Sequence, residues 1–364
     1  MHTPIYLVLA NGTVLEGESF GAVGDTVGEI VFATGMTGYI ETLTDPSYYG
    51  QIVVQTFPQV GNYGIIGADF ESTRPWLEAY VVREACEEPS NFRSEGSLDG
   101  FLKKYGVPGI CGLDTRRLTK IIRESGVMNG KLTSKSPYDH LDEILEEIRS
   151  FRITHAVESV TCKRATVSVC EEERFHVVLM DFGLKENIKR SLMARGCTVQ
   201  VVPAHTSAEE ILALKPDGIM LSNGPGDPAE NIEVIATIEK LLSSGVPMFG
   251  ICLGHQLTAL AAGAKTIKLK YGHRGGNQPV KDLFSDKVYI TSQNHGYAVD
   301  GSSLPPQVGT VSHINLNDGT CEGVRYQGIP VFTVQFHPEA ASGPQDTQYL
   351  FDEFVRLMER EGKQ

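Results

Sequence analysis

The sequence predicts two α/β domains: a strand-rich α/β domain, then a mainly parallel sheet flanked by helices. The chain has 364 residues, against ~100–200 per domain. Short β-type runs broken by Gly, Asn, Asp and Pro fill its first part. From Phe175 onward, apolar runs alternate with helical stretches, the pattern of strands buried on both faces.

In the first part, Ile5–Leu9, Val14–Glu16, Ile30–Thr34 and Gln51–Thr56 read as strands. Glycines at 12, 17, 21, 24, 28, 35 and 38 are too frequent for helices. Helical pattern follows over Gly96–Tyr105, Asp114–Glu124 and Leu141–Ser150, the last with Leu141, Ile144, Leu145 and Ile148 on one face. Thr154–Arg174 is polar, carries Glu171-Glu172-Glu173 and reads as a linker reaching the edge of the second domain. The domains are therefore expected at 1–152 and 153–364.

In the second part, Phe175–Asp181 is a nearly continuous apolar run. Helix Leu184–Arg195, strand Thr198–Val202, helix Ser207–Leu214, strand Gly218–Leu221, helix Ile232–Leu242 and strand Pro247–Ile251 follow in turn. Helix Leu253–Ala262 ends at Gly263, a suitable residue for a left-handed C-terminal stop. Beyond Ala264 the chain is strand-rich and closes with a helix, Gln348–Glu361.

Composition removes several function classes. With 41% apolar and 21% charged residues, the chain is neither a disordered tail nor a coiled coil. Residues 1–152 hold 13 basic and 21 acidic residues (net −8), and 153–364 hold 19 and 24 (net −5). Neither half offers the basic surface that a phosphate backbone requires, so no nucleic-acid partner is expected. No apolar run approaches the ~18 residues that span a bilayer, and Ile5–Ala10 lacks a basic flank and a cleavage site. No membrane role is expected. Seven scattered cysteines with no C-x-x-C suit a reducing, cytoplasmic setting and give neither a disulfide framework nor a metal site.

One cysteine stands apart. Gly250-Ile251-Cys252-Leu253-Gly254 lies where an apolar strand meets a helix, a nucleophile elbow with Cys in place of Ser. The glycines allow a sharp turn that lifts the nucleophile above the sheet. The positive end of the following helix there favours the thiolate.

A thiolate needs a base, and the base needs an orienter. The run Val331–Phe336 ends at His337-Pro338-Glu339. Two residues apart on extended chain, His337 and Glu339 project to one side, so Glu339 can hold one ring nitrogen while the other faces sulfur. Alone, H-P-E is a loop histidine beside an exposed glutamate; with the elbow upstream it completes a Cys–His–Glu triad. Gly224-Pro225-Gly226-Asp227-Pro228 is a rigid loop after a strand. Alone it reads as a plain turn, yet the Gly226 N–H and the Leu253 N–H are placed to hold a developing oxyanion.

These three motifs, in this order and spacing, resemble the class I, triad-type glutamine amidotransferase domain over about residues 175–360. The first half resembles the N-terminal domain of the carbamoyl-phosphate synthetase small subunit. That resemblance is carried by Ala33-Thr34-Gly35-Met36-Thr37-Gly38-Tyr39, Leu43-Thr44-Asp45-Pro46-Ser47-Tyr48, Gly61-Asn62-Tyr63-Gly64 and Gly109–Arg116. Gly275-Gly276-Asn277 and Gln293–Val299 agree as well.

The resemblance implies that Cys252 forms a γ-glutamyl thioester, that His337 moves the proton and that Glu339 orients His337. It implies oxyanion donors at Gly226 and Leu253, and glutamine contacts from Ser47, Gly224, Gly226, Leu253, Gln256, Asn294, Gly296 and Tyr297. Position 297 is often Phe in the family; a main-chain contact would make Tyr equivalent.

Ammonia released into water becomes ammonium, which is no nucleophile, so a glutaminase that feeds a synthesis must deliver to a partner. This chain has no G-x-x-x-x-G-K-[ST] loop, and no cofactor is expected in it. ATP, Mg and bicarbonate are expected on a larger subunit, to which residues 1–152 dock, in a heterodimer or an oligomer of heterodimers. The carbamoyl phosphate would serve pyrimidine or arginine synthesis, or both. The competing readings are another class I amidotransferase, such as the anthranilate or guanylate type, a free-standing γ-glutamyl hydrolase, or a non-catalytic regulatory subunit.

Overall fold

Seven short strands of the first part pair edge to edge until none is left open. The computed structural model describes residues 4–361 and divides the chain into one unit ending at Thr154 and a second starting at His155. The first unit contains β1 (Pro4–Leu9), β2 (Val14–Gly21), β3 (Thr26–Ala33), β4 (Gln51–Gln55), β5 (Gln59–Val60), β6 (Ala79–Val81), β7 (Glu84–Ala85), β8 (Pro108–Cys111) and β9 (Met128–Thr133). The closed barrel runs β1-β2-β8-β6-β4-β3-β9, with β5 and β7 paired apart from it. Closure removes the exposed edges that short strands would otherwise present. Ile5, Leu7 and Leu9 of β1 pack with Ile30, Ile52, Val54, Val81, Ile110 and Leu132, contributed by five other strands.

Helices α1 (Tyr39–Thr44), α2 (Leu98–Tyr105), α3 (Thr115–Ser125) and α4 (Leu141–Ser150) complete this unit. The Gly96–Tyr105 and Asp114–Glu124 patterns start slightly later as helices, because Ser97 and Asp114 act as N-caps, accepting from the Gly100 and Arg117 N–H groups. The barrel closure and α1 are absent from the sequence reading.

The segment Thr154–Arg174 is more than a linker. It carries α5 (Ala156–Val160) and β10 (Thr166–Ser168), and β10 pairs antiparallel with β12 (Cys197–Pro203). Its polarity fits an edge strand with exposed residues at 166 and 167.

The second unit is one ten-stranded mixed sheet. Its centre is parallel: β12, β11 (Phe175–Asp181), β13 (Gly218–Leu221), β14 (Met248–Ile251) and β19 (Val331–Val334). Strand alternation sends Val178, Met180, Ile219 and Leu221 to one face, against α8 (Ile232–Leu242) and α9 (Leu253–Ala261). Val177, Leu179, Met220 and Phe249 face the other way, against α6 (Glu186–Met193) and α10 (Tyr349–Glu361). Helix α7 (Ala208–Ala213) opens with a capping box between Ser207 and Glu210. Antiparallel strands β15 (Lys265–Asp282), β16 (Val288–Asp300), β17 (Gly309–Asn315) and β18 (Cys321–Tyr326) extend the sheet beyond β19. Among the described residues, no helix is long and apolar enough to cross a membrane.

Candidate active site

Strands β13, β14 and β19 lie side by side and run the same way, so their C-terminal loops share one edge. Cys252 follows β14 directly, with Ile251 opposite Val334 of β19. The turn is sharp: Cys252 has φ 53° and ψ −102°, a strained conformation for a residue with a Cβ. Its N–H donates to Val334 O (2.9 Å), while the Gly254 N–H donates to Ser222 O (3.0 Å).

Both flanking glycines are required sterically. A Cβ on Gly254 would lie 2.4 Å from Leu221 O, and one on Gly250 would lie 3.0 Å from Gly254 O. The elbow works because α9 packs backbone to backbone on β13.

His337 stands three residues past the end of β19, and its N–H donates to Ser292 O of β16 (2.9 Å). Its Nδ1 donates to Glu339 Oε1 at 2.7 Å. Its Nε2 is buried with no hydrogen-bond partner, although the Cys252 side chain interacts with the ring. One nitrogen is thus oriented and the other is available to sulfur. The Cys252 thiol also lies 3.8 Å from Asn294 O, as a weak donor.

Lys185 is the residue that sequence reasoning missed. It follows β11 in the loop Phe182-Gly183-Leu184-Lys185, is almost wholly buried, and donates to Glu339 Oε1 at 3.0 Å. Asn187 donates to the Glu339 carbonyl. Its only sequence signal is a lysine just past an apolar strand, at the edge where ligands bind in parallel sheets.

The charges act on one another. Burial disfavours the imidazolium of His337, but the Glu339 carboxylate outweighs it and raises His337 to about 10, with Lys185 pulling back down. Burial disfavours the Glu339 carboxylate too, yet Lys185 and His337 hold it at about 2.

The remaining candidates fall in known places. Gly226 takes φ 89° in the loop after β13, and Leu253 is the first residue of α9. A Cβ on Gly224 would lie 2.2 Å from Phe182 O, so the loop is pressed against the β11 exit. Gln256 donates to Tyr297 O (2.7 Å) and Gln335 Oε1 (2.9 Å). Asn294, Gly296 and Tyr297 lie on β16. Ser47 lies in the first unit, buried in the 3₁₀ turn Pro46–Tyr48, with its N–H donating to Asp45 Oδ1 (2.9 Å).

Comparison with known proteins accounts for both halves. Residues 178–357 match the family "Glutamine amidotransferase class-I", and residues 7–132 match "Carbamoyl-phosphate synthase small chain, CPSase domain". The carbamoyl phosphate synthase small chain of Fusobacterium nucleatum is 53% identical over 98% of this chain and 99% of its own. The chain belongs to the carbamoyl phosphate synthase small chain family. The small chain of Listeria monocytogenes serotype 4b is 52% identical over 97% of this chain and 96% of its own. That of Symbiobacterium thermophilum is 50% identical over 97% and 98%. As a member of the small-chain family, the chain is the glutamine-hydrolysing subunit that supplies ammonia to a large synthetase subunit. The match over 7–132 also sets aside the other amidotransferase types and the free-standing hydrolase.

Proposed function

We propose that glutamine is hydrolysed at Cys252 by a Cys252–His337–Glu339 triad, with Lys185 setting its charge. The observation that carries this is the His337 ring, tied to Glu339 by Nδ1 and leaving a buried, unpartnered Nε2 at the sheet edge that holds Cys252.

Proton transfer from the thiol to His337 Nε2 leaves a thiolate beside an imidazolium, the form of His337 that the Glu339 carboxylate favours, and sulfur attacks the glutamine side-chain carbonyl carbon. The resulting oxyanion accepts from the Gly226 and Leu253 N–H groups. Collapse breaks the C–N bond, and the His337 proton goes to the departing nitrogen, giving ammonia and a γ-glutamyl thioester. Water, deprotonated by His337, then cleaves the thioester to glutamate.

Charge balance supports the scheme. Glu339 lies beside Lys185 and His337, so two cations face one carboxylate when the imidazole is protonated. A Cys252 thiolate brings the buried group to neutrality. Lys185 moderates the imidazolium, which makes it a better acid toward the departing amide nitrogen.

Asn294, whose carbonyl meets the Cys252 thiol, is proposed to hold the glutamine head group together with Gln256, Gly296 and Tyr297, and Gly224 and Gly226 its side-chain amide. ATP, magnesium and bicarbonate are assigned to the large subunit, the first unit to docking, and the assembly to a cytoplasmic heterodimer or an oligomer of heterodimers. The deciding experiment quenches the enzyme with glutamine in acid, in the presence of a large chain, and maps the acyl adduct by mass spectrometry. An adduct on Cys252 is expected; an adduct elsewhere, or steady turnover without one, overturns the assignment.

A further inference from the structure

A second buried polar cluster backs onto the segment of β16 beside the nucleophile, and no step above uses it. Residues 292–297 are held from the catalytic side: His337 N–H donates to Ser292 O, the Cys252 thiol approaches Asn294 O, and Gln256 donates to Tyr297 O. Gln293 and His295, on the alternate positions, are held from elsewhere.

His295 Nδ1 donates to Tyr297 O (2.7 Å), and its Nε2 lies 3.0 Å from Gln293 Oε1. Gln293 Nε2 donates to Glu322 Oε2 (3.0 Å) and to Thr291 Oγ1 (3.1 Å). Thr291 spends its own hydroxyl proton on Gln278 O, which fixes the amide's orientation. Asn315 Nδ2 donates to Glu322 Oε1 (3.3 Å), and His273 Nδ1 lies 3.4 Å from that oxygen. His273 Nε2 donates to Asp318 Oδ2 (2.8 Å). Hydrogen bonds thus run from Asp318, partly in solvent, through His273 and the fully buried Glu322 to Gln293, while burial keeps His295 neutral, so its one ring proton goes to the Tyr297 carbonyl and its Nε2 meets Gln293 Oε1 as a packing contact.

His273, His295 and Glu322 place their ligand atoms within 4.8 Å of one another, a trio close enough for a metal ion. The sequence suggested no such set, since its members are 22 to 49 residues apart on three strands. Hydrogen bonding favours a positioning role over a metal. The Tyr297 carbonyl is an acceptor, so His295 Nδ1 carries a proton, and Gln293 occupies the space before its other nitrogen.

We propose that Glu322 and His273 are positioning residues for glutamine turnover: through Gln293 and His295 they fix the main chain of residues 293–297 beside Cys252. The proposal rests on the reading of Cys252 as nucleophile. A buried carboxylate is retained here because it orients two side-chain amides at once, which an apolar residue cannot do. Burial disfavours a charged His273, but Glu322 and Asp318 raise it above its ordinary value; burial also raises Glu322 above its own.

The test compares Glu322→Gln, His273→Asn and the double variant, each assembled with a large chain. Each single change is expected to raise the KM for glutamine about tenfold. Expected with it are a kcat within a factor of about two, because the triad is untouched, and unchanged ammonia-dependent synthesis. The double variant is expected to match the worse single one, since both act through one chain of contacts. Acyl adduct on wild-type Cys252 is measured in the same preparations. Adduct present with KM unchanged in both variants overturns this proposal alone; no adduct in the wild type overturns the nucleophile and this proposal with it. Additive losses, or a wild-type KM that rises on chelation and is restored by zinc, also overturn it.

Discussion

Lys185 Nζ and Glu339 Oε1 lie 3.0 Å apart, and both side chains are sealed from solvent. The same oxygen accepts from His337 at 2.7 Å, while Glu339 Oε2 is buried without a partner. One carboxylate oxygen therefore links the Lys185 amine to the proposed base. Removing one partner of such a buried pair strands a charge.

Lys185→Met is expected to destabilise the second unit by about 1–3 kcal/mol, since it removes one of the two cations that face the buried Glu339 carboxylate. It is also expected to lower kcat for glutamine more than tenfold, because without Lys185 the His337 imidazolium holds its proton more tightly and is a weaker acid toward the departing nitrogen. Urea unfolding and glutaminase assays check this. Stability and kcat both near wild type would remove Lys185 from the proposed machinery.

Cys252→Ala is expected to reduce glutamine-dependent synthesis by about a thousandfold or more while synthesis from free ammonia continues in the assembled enzyme. Equal loss of both activities would point to a folding or docking defect and not to a missing nucleophile.

Gly254→Ala reverses an ordinary expectation. Alanine in a helix usually gains up to about 1 kcal/mol over glycine. Here the added Cβ meets Leu221 O at 2.4 Å, and that carbonyl belongs to the central strand β13, which cannot retreat. A loss of about 3 kcal/mol in chemical denaturation is expected, with glutaminase activity falling as the elbow is pushed from β13.

The His337–Glu339 pair sets a pH window for stability. His337 rises from 6.5 to about 10, so its contribution is complete below 6.5 and is lost as pH climbs through about 10. Glu339 falls from 4.5 to about 2, so its contribution is complete above 4.5 and is lost as pH drops through about 2. The melting-temperature gap between wild type and His337→Gln is therefore expected to be widest between pH 4.5 and 6.5 and to shrink steadily above it. A gap that widened toward pH 9 would contradict the charge state drawn for the pair.

The sequence by itself determined what local chemistry dictates. A continuous apolar run must be buried on both faces, so the parallel centre of the second unit could be read from Phe175–Asp181 and Gly218–Leu221. Glycines on either side of Cys252 announce an elbow, because only a missing Cβ lets a helix close on the strands. His337 and Glu339 are two residues apart, so their meeting needs little from the rest of the fold. Barrel closure was not legible: pairing β1 with β9 joins residues more than a hundred positions apart, and short glycine-broken strands do not name their partners. Lys185 reads as one more surface lysine until the fold buries it against a carboxylate 154 residues away. Glu322 and His273 likewise appear in sequence only as polar residues within strands. The physical reason is common to these cases. A residue's type states which hydrogen bonds and charges it must satisfy once buried; only the tertiary structure decides which residues are buried and which partners satisfy them.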